Sequence, residues 1–257
     1  MIKTFGATMA GHSHWANIAH KKGVIDAKRG KLWSKLAKAL IVAAKEGGGD
    51  PAMNLRLRYA INDAKAGNMP KDTIERSIKK GTGELEGGNL EQTLYEGYGP
   101  AGVAVLCEIY TDNRNRTAPE VRKIFELAGG KLGGTGCVAW MFDRKGLALV
   151  AKDKVGEEAL MELAIEAGAD DVRTEGDQYE VIAEPDAFTG VLAALEAAGV
   201  PTESTQLTRI PKDTVDITGE DARRVLKMME ALDDHDDVQN VSANFNIPEE
   251  AMKMLDV

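Results

Sequence analysis

Apolar side chains recur at three- and four-residue steps up to about residue 83, and from Glu91 onward short alternating runs take over. That change of period limits the chain to a helical segment followed by strand-and-helix units. In the stretch Gly11 to Lys45, Leu32, Leu36, Leu40 and Ala43 fall on one stripe, the mark of an amphipathic helix. Gly47, Gly48 and Gly49 end it, and Asp50 with Pro51 offers an N-cap and a first-turn proline for a second helix. Met53, Leu57, Ala60, Ile61 and Ala64 would line the buried face of that helix. A third helix is expected from Pro70, with Ile74 and Ile78 inward and Gly81 at its end. The pattern predicts a three-helix bundle, and the acidic, glycine-rich stretch from Gly81 to Asn89 reads as a linker.

Beyond the linker, Val103, Val105, Cys107 and Ile109 alternate as a strand does. Residues 111–117 (TDNRNRT) read as a polar loop, Pro119 as the start of a helix carrying Val121, Ile124, Phe125 and Ala128, and Val138 to Phe142 as the next strand. A complete βαββαβ run follows: strand 146–150, helix 155–167, strands 172–174 and 178–183, a helix from Pro185, and strand 205–210. The first unit is then resumed by a strand at 213–217, a helix from Thr218 with Asp221 as a capping partner, and a strand at 238–245. The expected class is α+β, an N-terminal three-helix bundle plus two ferredoxin-like α/β domains, one inserted in the other. The boundaries are 1–83, 84–144 with 211–257, and 145–210; one continuous sheet domain is the alternative.

Charge is split along the chain. Residues 1–80 hold 16 Lys and Arg against 6 Asp and Glu, a formal +10, whereas the remainder is formally −19. A basic pole on an acidic body suits a protein that meets a polyanion at one end. Lys28, Lys31, Lys35 and Lys38 repeat at helical spacing about a third of a turn from the apolar stripe, a row of about 15 Å that could follow several phosphates. Arg56 and Arg58 fall outside the apolar stripe of the second helix, and Arg114 and Arg116 sit in the 111–117 loop, where they either pair with nearby carboxylates or add a second nucleic-acid contact.

Other chemistry is less well provided for. His12, His14 and His20 have no Cys, Asp or Glu among them, so a metal site is not expected and the histidines suit phosphate or stacking contacts beside Trp15; Trp33 adjoins the stripe and belongs to the core. The loop GGKLGGTG lacks both phosphate-binding glycine patterns, and its glycines read as turn formers. The acidic cluster DDHDD at 233–237 lacks the glycine and closing glutamate of a calcium loop and reads as a solvated turn. No nucleophile, base and orienting group assemble, so neither an enzyme nor a cofactor is expected. Cys107 and Cys137 lie in apolar runs and read as buried thiols. Residues 1–8 do not form a secretory signal, and no apolar run approaches the roughly 18 residues of a membrane span, so the expectation is a cytoplasmic chain without membrane contact, a monomer or weak oligomer.

The segments AGHSHWANIAHKK, DAKRGK, GGGDP, NMPKDTIERSIKKGTGE, YEGYGPAGVAV, TDNRNRT and GGKLGGTGCVAWMF, in order over residues 9–145, resemble the motifs of the YebC/PmpR family, whose mitochondrial relatives include the translational activator of cytochrome c oxidase. The resemblance implies a helical bundle with two nested α/β domains. It also implies a basic nucleic-acid-binding segment that maps onto His12, Trp15, His20, Lys21, Lys22, Lys28, Arg29, Lys31 and Lys35. His14 and Ala19 stand where lysines are usual and Cys137 where serine is, and the usual start corresponds to Met9. The function implied is a non-enzymatic regulator of gene expression that contacts DNA, with ribosomal RNA and a role on the ribosome during translation as the alternative. The absence of a helix with groove-reading side chains leans toward structured RNA, and the family label leans toward DNA.

Overall fold

The computed structural model describes the backbone of residues 27–253 and the side chains of all of these except residues 27–29, 175, 249 and 253. Among the described residues three helices come first: α1 (Ala27–Gly47), α2 (Leu55–Ala66) and α3 (Lys71–Thr82). Leu40, Ala43 and Ala44 of α1 pack with Leu57, Ala60 and Ala64 of α2 and with Met69 and Ile74, and Trp33, Leu36 and Ile78 border this core. The stripe is narrower at its start than its spacing implies, since Leu32 is 45% exposed.

Asn54, not Asp50, caps α2. Its Oδ1 accepts from Leu57 N at 3.0 Å, while its Nδ2 donates to the carbonyls of Ala43 and Gly48, each at 2.8 Å. One buried amide thereby uses both its ends to tie the close of α1 to the start of α2. Asp50 instead closes the preceding turn by accepting from Ala52 N at 2.8 Å, and Met53, expected inward, is 84% exposed. Gly81 does not end α3. The helix runs on to Thr82 and closes at Gly83, which takes the left-handed conformation. Gly81 has a different task, because a Cβ there would lie 2.4 Å from Ile41 O and 2.7 Å from Ala44 Cβ of α1.

The α/β part begins with a hairpin, β1 (Glu91–Tyr98) antiparallel to β2 (Ala104–Thr111), with Glu91 opposite Thr111 and Tyr98 opposite Ala104. Helix α4 (Arg114–Ala128) and the short β3 (Lys131–Leu132) follow. The loop expected at 111–117 is half helix: Asn113 accepts from Arg116 N at 3.1 Å and starts α4 five residues ahead of Pro119. The strand expected at 138–142 is a 3-10 turn over Ala139–Met141, and pairing resumes in β4 (Phe142–Ala151). Its place in the sheet is held by β1, which was not expected as a strand.

The next elements are α5 (Glu157–Glu166), β5 (Asp171–Glu175), β6 (Gln178–Ala183), α6 (Pro185–Ala197) and β7 (Ser204–Pro211). The described residues close with β8 (Val215–Asp216), α7 (Gly219–Asp233), β9 (Val238–Ala243), β10 (Phe245–Asn246) and α8 (Glu249–Lys253).

Two four-stranded sheets result, ordered β3-β1-β2-β9 and β5-β6-β4-β7, with β8 and β10 as a separate parallel pair. The second sheet is antiparallel throughout its β4–β6, β4–β7 and β5–β6 pairings, the ferredoxin-like arrangement of a βαββαβ chain. The first has the same layout, except that one inner strand, β1, precedes the first helix instead of following it. The class is α+β with an N-terminal helical bundle. Among the described residues two compact units can be distinguished, the chain from Ala27 to Ala139 with Arg223–Val241, and Trp140–Ala222 with the stretch from Ser242 on, so their segments alternate along the chain.

Within the first unit, alternate residues of β1 and β2 serve two layers. Gly97 lies under Phe125 of α4, where a Cβ would come within 2.6 Å of the ring. On the opposite face Gln92 and Tyr110 meet Arg56 of α2. In the second unit Phe188 of α6 packs on Gly146 of β4.

Replacing Gly81 with alanine should destabilise the protein by about 1–3 kcal/mol through overpacking between α1 and α3. Gly134→Ala, where a Cβ would meet nothing within 4 Å, should stay within about 0.5 kcal/mol. Denaturant midpoints of the two variants check this, and equal midpoints would remove the close approach as the reason for Gly81.

Candidate nucleic-acid interface

The basic residues singled out in the sequence fall into three groups. His12, Trp15, His20, Lys21 and Lys22 lie outside the described residues. Lys28 and Arg29 belong to the first turn of α1, and their side chains are likewise outside the described set. The rest can be placed, and each described member is held by the chain itself.

The lysine row of α1 lies along the 233–237 turn between α7 and β9. Lys31 Nζ donates to Asp234 O at 3.2 Å. Lys35 Nζ donates to Asp233 O and lies 3.3 Å from Asp233 Oδ1. Lys38 Nζ donates to Asp236 O at 2.9 Å and to Asp237 Oδ1 at 2.5 Å. The spacing that puts the lysines on one face is therefore real, and that face is occupied. Lys35 and Lys38 side chains are only 17% and 18% exposed.

Asp237 is the centre of this arrangement. Its side chain is 3% exposed, so the turn is not simply solvated as the cluster DDHDD suggests. Besides Lys38, its carboxylate accepts from Arg116 NH2 at 2.7 Å, from Thr117 Oγ1 at 2.7 Å and from Thr111 Oγ1 at 3.1 Å. Burial alone would raise the pKa of this carboxyl. The hydrogen bonds from Lys38, Arg116 and Thr117 outweigh burial and hold it well below the usual carboxylate range. The same residue extends the sheet, since Tyr110 N donates to Asp237 O at 2.9 Å. His235 braces the turn: its Nδ1 accepts from Asp237 N at 3.1 Å, which leaves Nε2 to donate to Glu120 Oε2 at 3.1 Å.

The arginines are similarly engaged. Arg56 reaches Glu46, Gln92 Oε1 at 3.0 Å and the Tyr110 hydroxyl, and so joins α2 to the sheet. Arg58 donates to Pro51 O at 3.0 Å and Ala52 O at 3.1 Å, closing the turn before its own helix. Arg114 pairs with Glu91 at 2.7 Å, and Arg116 adds Asp112 at 3.2 Å to its bond with Asp237. Of the two readings open for the 111–117 arginines, pairing with carboxylates is the one seen.

Glu96 is a residue that sequence reasoning missed. Buried in β1, it accepts from Gly136 N at 2.6 Å and, through its other oxygen, from Val138 N at 2.9 Å and Ala139 N at 2.8 Å. The glycine-rich loop is thus an anion cradle after all, but its anion is internal. Gly136, at a φ of 84°, supplies the left-handed turn that aims the amides inward. The available signal was a lone glutamate within the strand-like run ahead of Gly97. For Asp233 and Asp237 the signal was an acidic cluster matching a lysine row of similar length.

Asp237→Ala should cost about 3 kcal/mol, because it removes the carboxylate that Lys38, Arg116, Thr111 and Thr117 share. Asp237 also makes stability pH-dependent. Its folded pKa is depressed, so its contribution is complete above the ordinary carboxylate value near 4 and fades as pH falls toward the folded value. Thermal midpoints taken from pH 6 downward should fall less steeply below pH 4 for Asp237→Asn than for the native chain. Parallel curves would deny Asp237 this role.

Comparison with known proteins fits this geometry into a family. The model described as the TACO1/YebC protein N-terminal domain matches residues 13–84, and the model for the TACO1/YebC second and third domain matches residues 90–245. A protein of Geobacter sulfurreducens named probable transcriptional regulatory protein is 58% identical over 96% of this chain and 100% of its own length. One of Desulfatibacillum aliphaticivorans with the same name is 56% identical over 95% of this chain and 99% of its own. The crystal structure of a conserved hypothetical protein from Aquifex aeolicus superposes with a TM-score of 0.84 at 51% identity, covering 92% of this chain and 98% of that one. The motifs, the two α/β sheets and these matches agree that the chain belongs to the TACO1/YebC family, among whose bacterial members are proteins named probable transcriptional regulatory protein.

Proposed function

We propose that this protein is a regulator of transcription that binds DNA through its phosphate backbone and carries out no catalysis. The observation that carries the reading is the concentration of charge: 16 Lys and Arg against 6 Asp and Glu in residues 1–80, ahead of a formally −19 remainder. The name shared by the relatives supports the regulatory role, and the chemistry of lysine and arginine supports phosphate as the group bound.

The division of labour follows a three-domain assignment, 1–83 for contact, 84–144 with 211–257 as the scaffold behind it, and 145–210 as the inserted acidic domain. In this reading the contact begins at His12, Trp15, His20, Lys21 and Lys22, continues through Lys28 and Arg29, and extends along Lys31, Lys35 and Lys38. Arg56, Arg58, Arg114 and Arg116, like Lys31, Lys35 and Lys38, each hold an acceptor within the chain and would have to exchange it to contact phosphate. The acidic body repels DNA and so orients the protein on it. Among the described residues no helix is long and apolar enough to cross a membrane.

If five or six phosphates are neutralised, log K against log salt on duplex DNA should have a slope of roughly −4.5 to −5.5. Changing Lys21, Lys22, Lys28 and Arg29 to glutamine should reduce that slope by about one for each phosphate no longer neutralised and leave the thermal midpoint unchanged. Fluorescence anisotropy with a labelled duplex over a salt series measures the first, and a melting curve the second. A flat salt response of the native chain would overturn the proposal.

A further inference from the structure

The 233–237 turn offers the α1 lysines what a phosphodiester strand would offer them: a run of oxygen acceptors with negative charge alongside. Lys31, Lys35 and Lys38 meet the carbonyl oxygens of Asp234, Asp233 and Asp236 respectively, and two of the three also meet a carboxylate. From Lys31 to Lys38 the helix rises roughly 10 Å, at 1.5 Å per residue. One strand of a duplex carries about three charges over that length, at ~3.4 Å each, so the row spans about as many phosphates as it has lysines. The turn and the strand are therefore competitors for the same three ammonium groups. They cannot be bound there together.

We propose that the 233–237 turn is an internal occupant of the α1 lysine row, and that a nucleic-acid strand engages Lys31, Lys35 and Lys38 only by taking these side chains from it. The inference rests on the reading of the protein as a polyanion binder and adds to it a gate. The gate has unequal parts. Asp233 is 47% exposed and meets Lys35 at the turn's outer end. Asp237 is buried and is also held by Arg116, Thr117 and Thr111, so it stays with the scaffold when the lysines leave. Release of the row breaks the three carbonyl contacts, the Asp233 pair and the Lys38–Asp237 pair, but none of the bonds that fix Asp237 to α4 and β2. The acceptor is pre-organised on one side, and the lysines are the movable partner.

The test is a cycle of variants of the full chain, read by anisotropy at low salt with a short labelled duplex DNA and with an RNA of the same length. Asp233→Asn with Asp237→Asn weakens the occupant and should tighten binding about fivefold or more, the lower end of ordinary coupling between sites. Asp233→Asn alone, at the exposed end, should shift affinity the same way and serves if the double variant does not fold. In a background with Lys31, Lys35 and Lys38 all changed to glutamine, the gain should vanish. A gain of equal size in both backgrounds would mean that the aspartates act only through long-range charge and would overturn the gate. So would unchanged or weaker binding by a folded Asp233→Asn chain. Binding by the native chain that is indifferent to the three lysines would sink the gate while leaving polyanion binding intact. No binding by any variant would remove both. The two probes distinguish the source of the phosphate: the gain should appear on whichever strand the row accepts.

Discussion

A carboxylate that is almost entirely out of water must be matched by donors from the chain around it, and Asp237 draws those donors from well-separated parts of the sequence. Lys38 comes from the helical bundle, Arg116 and Thr117 from α4, Thr111 from β2, and the Asp237 carbonyl closes a sheet bond with Tyr110. One residue thus fixes where α1, the sheet edge and the start of α4 meet. A buried ion pair of this kind adds less net stability than its short distances suggest, because desolvation opposes it. Removing one partner is nevertheless costly, since the others are then left unmatched. Its structural value is positional. It selects one register for α1 against the α7–β9 turn, which apolar packing alone would specify less sharply.

Glu96 applies the same solution to a different problem. A glycine-rich loop whose amides point inward needs an anion, and β1 supplies it from within. In both places a group of donors that could have faced an external anion is satisfied by the chain's own carboxylate. The acidic character of the second part of the molecule is therefore not only a solvated surface. Some of it is consumed in fixing basic and backbone donors, and the folded surface is less polarised than the formal +10 and −19 imply.

Long, strongly periodic elements were legible from residue order. α1, α5, α6, β6 and β7 lie where their apolar periods place them, because each buries one regular face against a neighbour. Elements whose polar residues serve other parts of the chain were not. β1 does not stand out within the strand-like pattern from Glu91 because Gln92 and Glu96 interrupt its alternation, yet Gln92 is bonded to Arg56 and Glu96 to the glycine loop. The start of α4 reads as a polar loop because arginines such as Arg114 and Arg116 ordinarily face water, yet both have carboxylate partners. The lysine row shows the same limit. Spacing established that Lys31, Lys35 and Lys38 share a face, but what faces them lies some two hundred residues away in the chain, and no local pattern encodes that pairing.

Part of the positive charge of the bundle, accordingly, is already committed within the fold. Of the cations in the described part of the bundle, Lys31, Lys35, Lys38, Lys45, Arg56 and Arg58 donate to acceptors within the chain, and Lys71 pairs with Glu75. The side chains of Lys65, Arg76, Lys79 and Lys80 take no ion pair or hydrogen bond among the described residues. The last three lie on α3, which packs on α1 through Gly81. If the protein binds a polyanion as proposed, these open cations add to the long-range attraction without any lysine of α1 changing its acceptor. On that proposal attraction and grip are separate steps, and the second is set by whether the turn yields the row. The proposed gate would let many polyanions be attracted and few be held, because only a strand able to replace several fixed oxygen acceptors at once gains the second set of contacts.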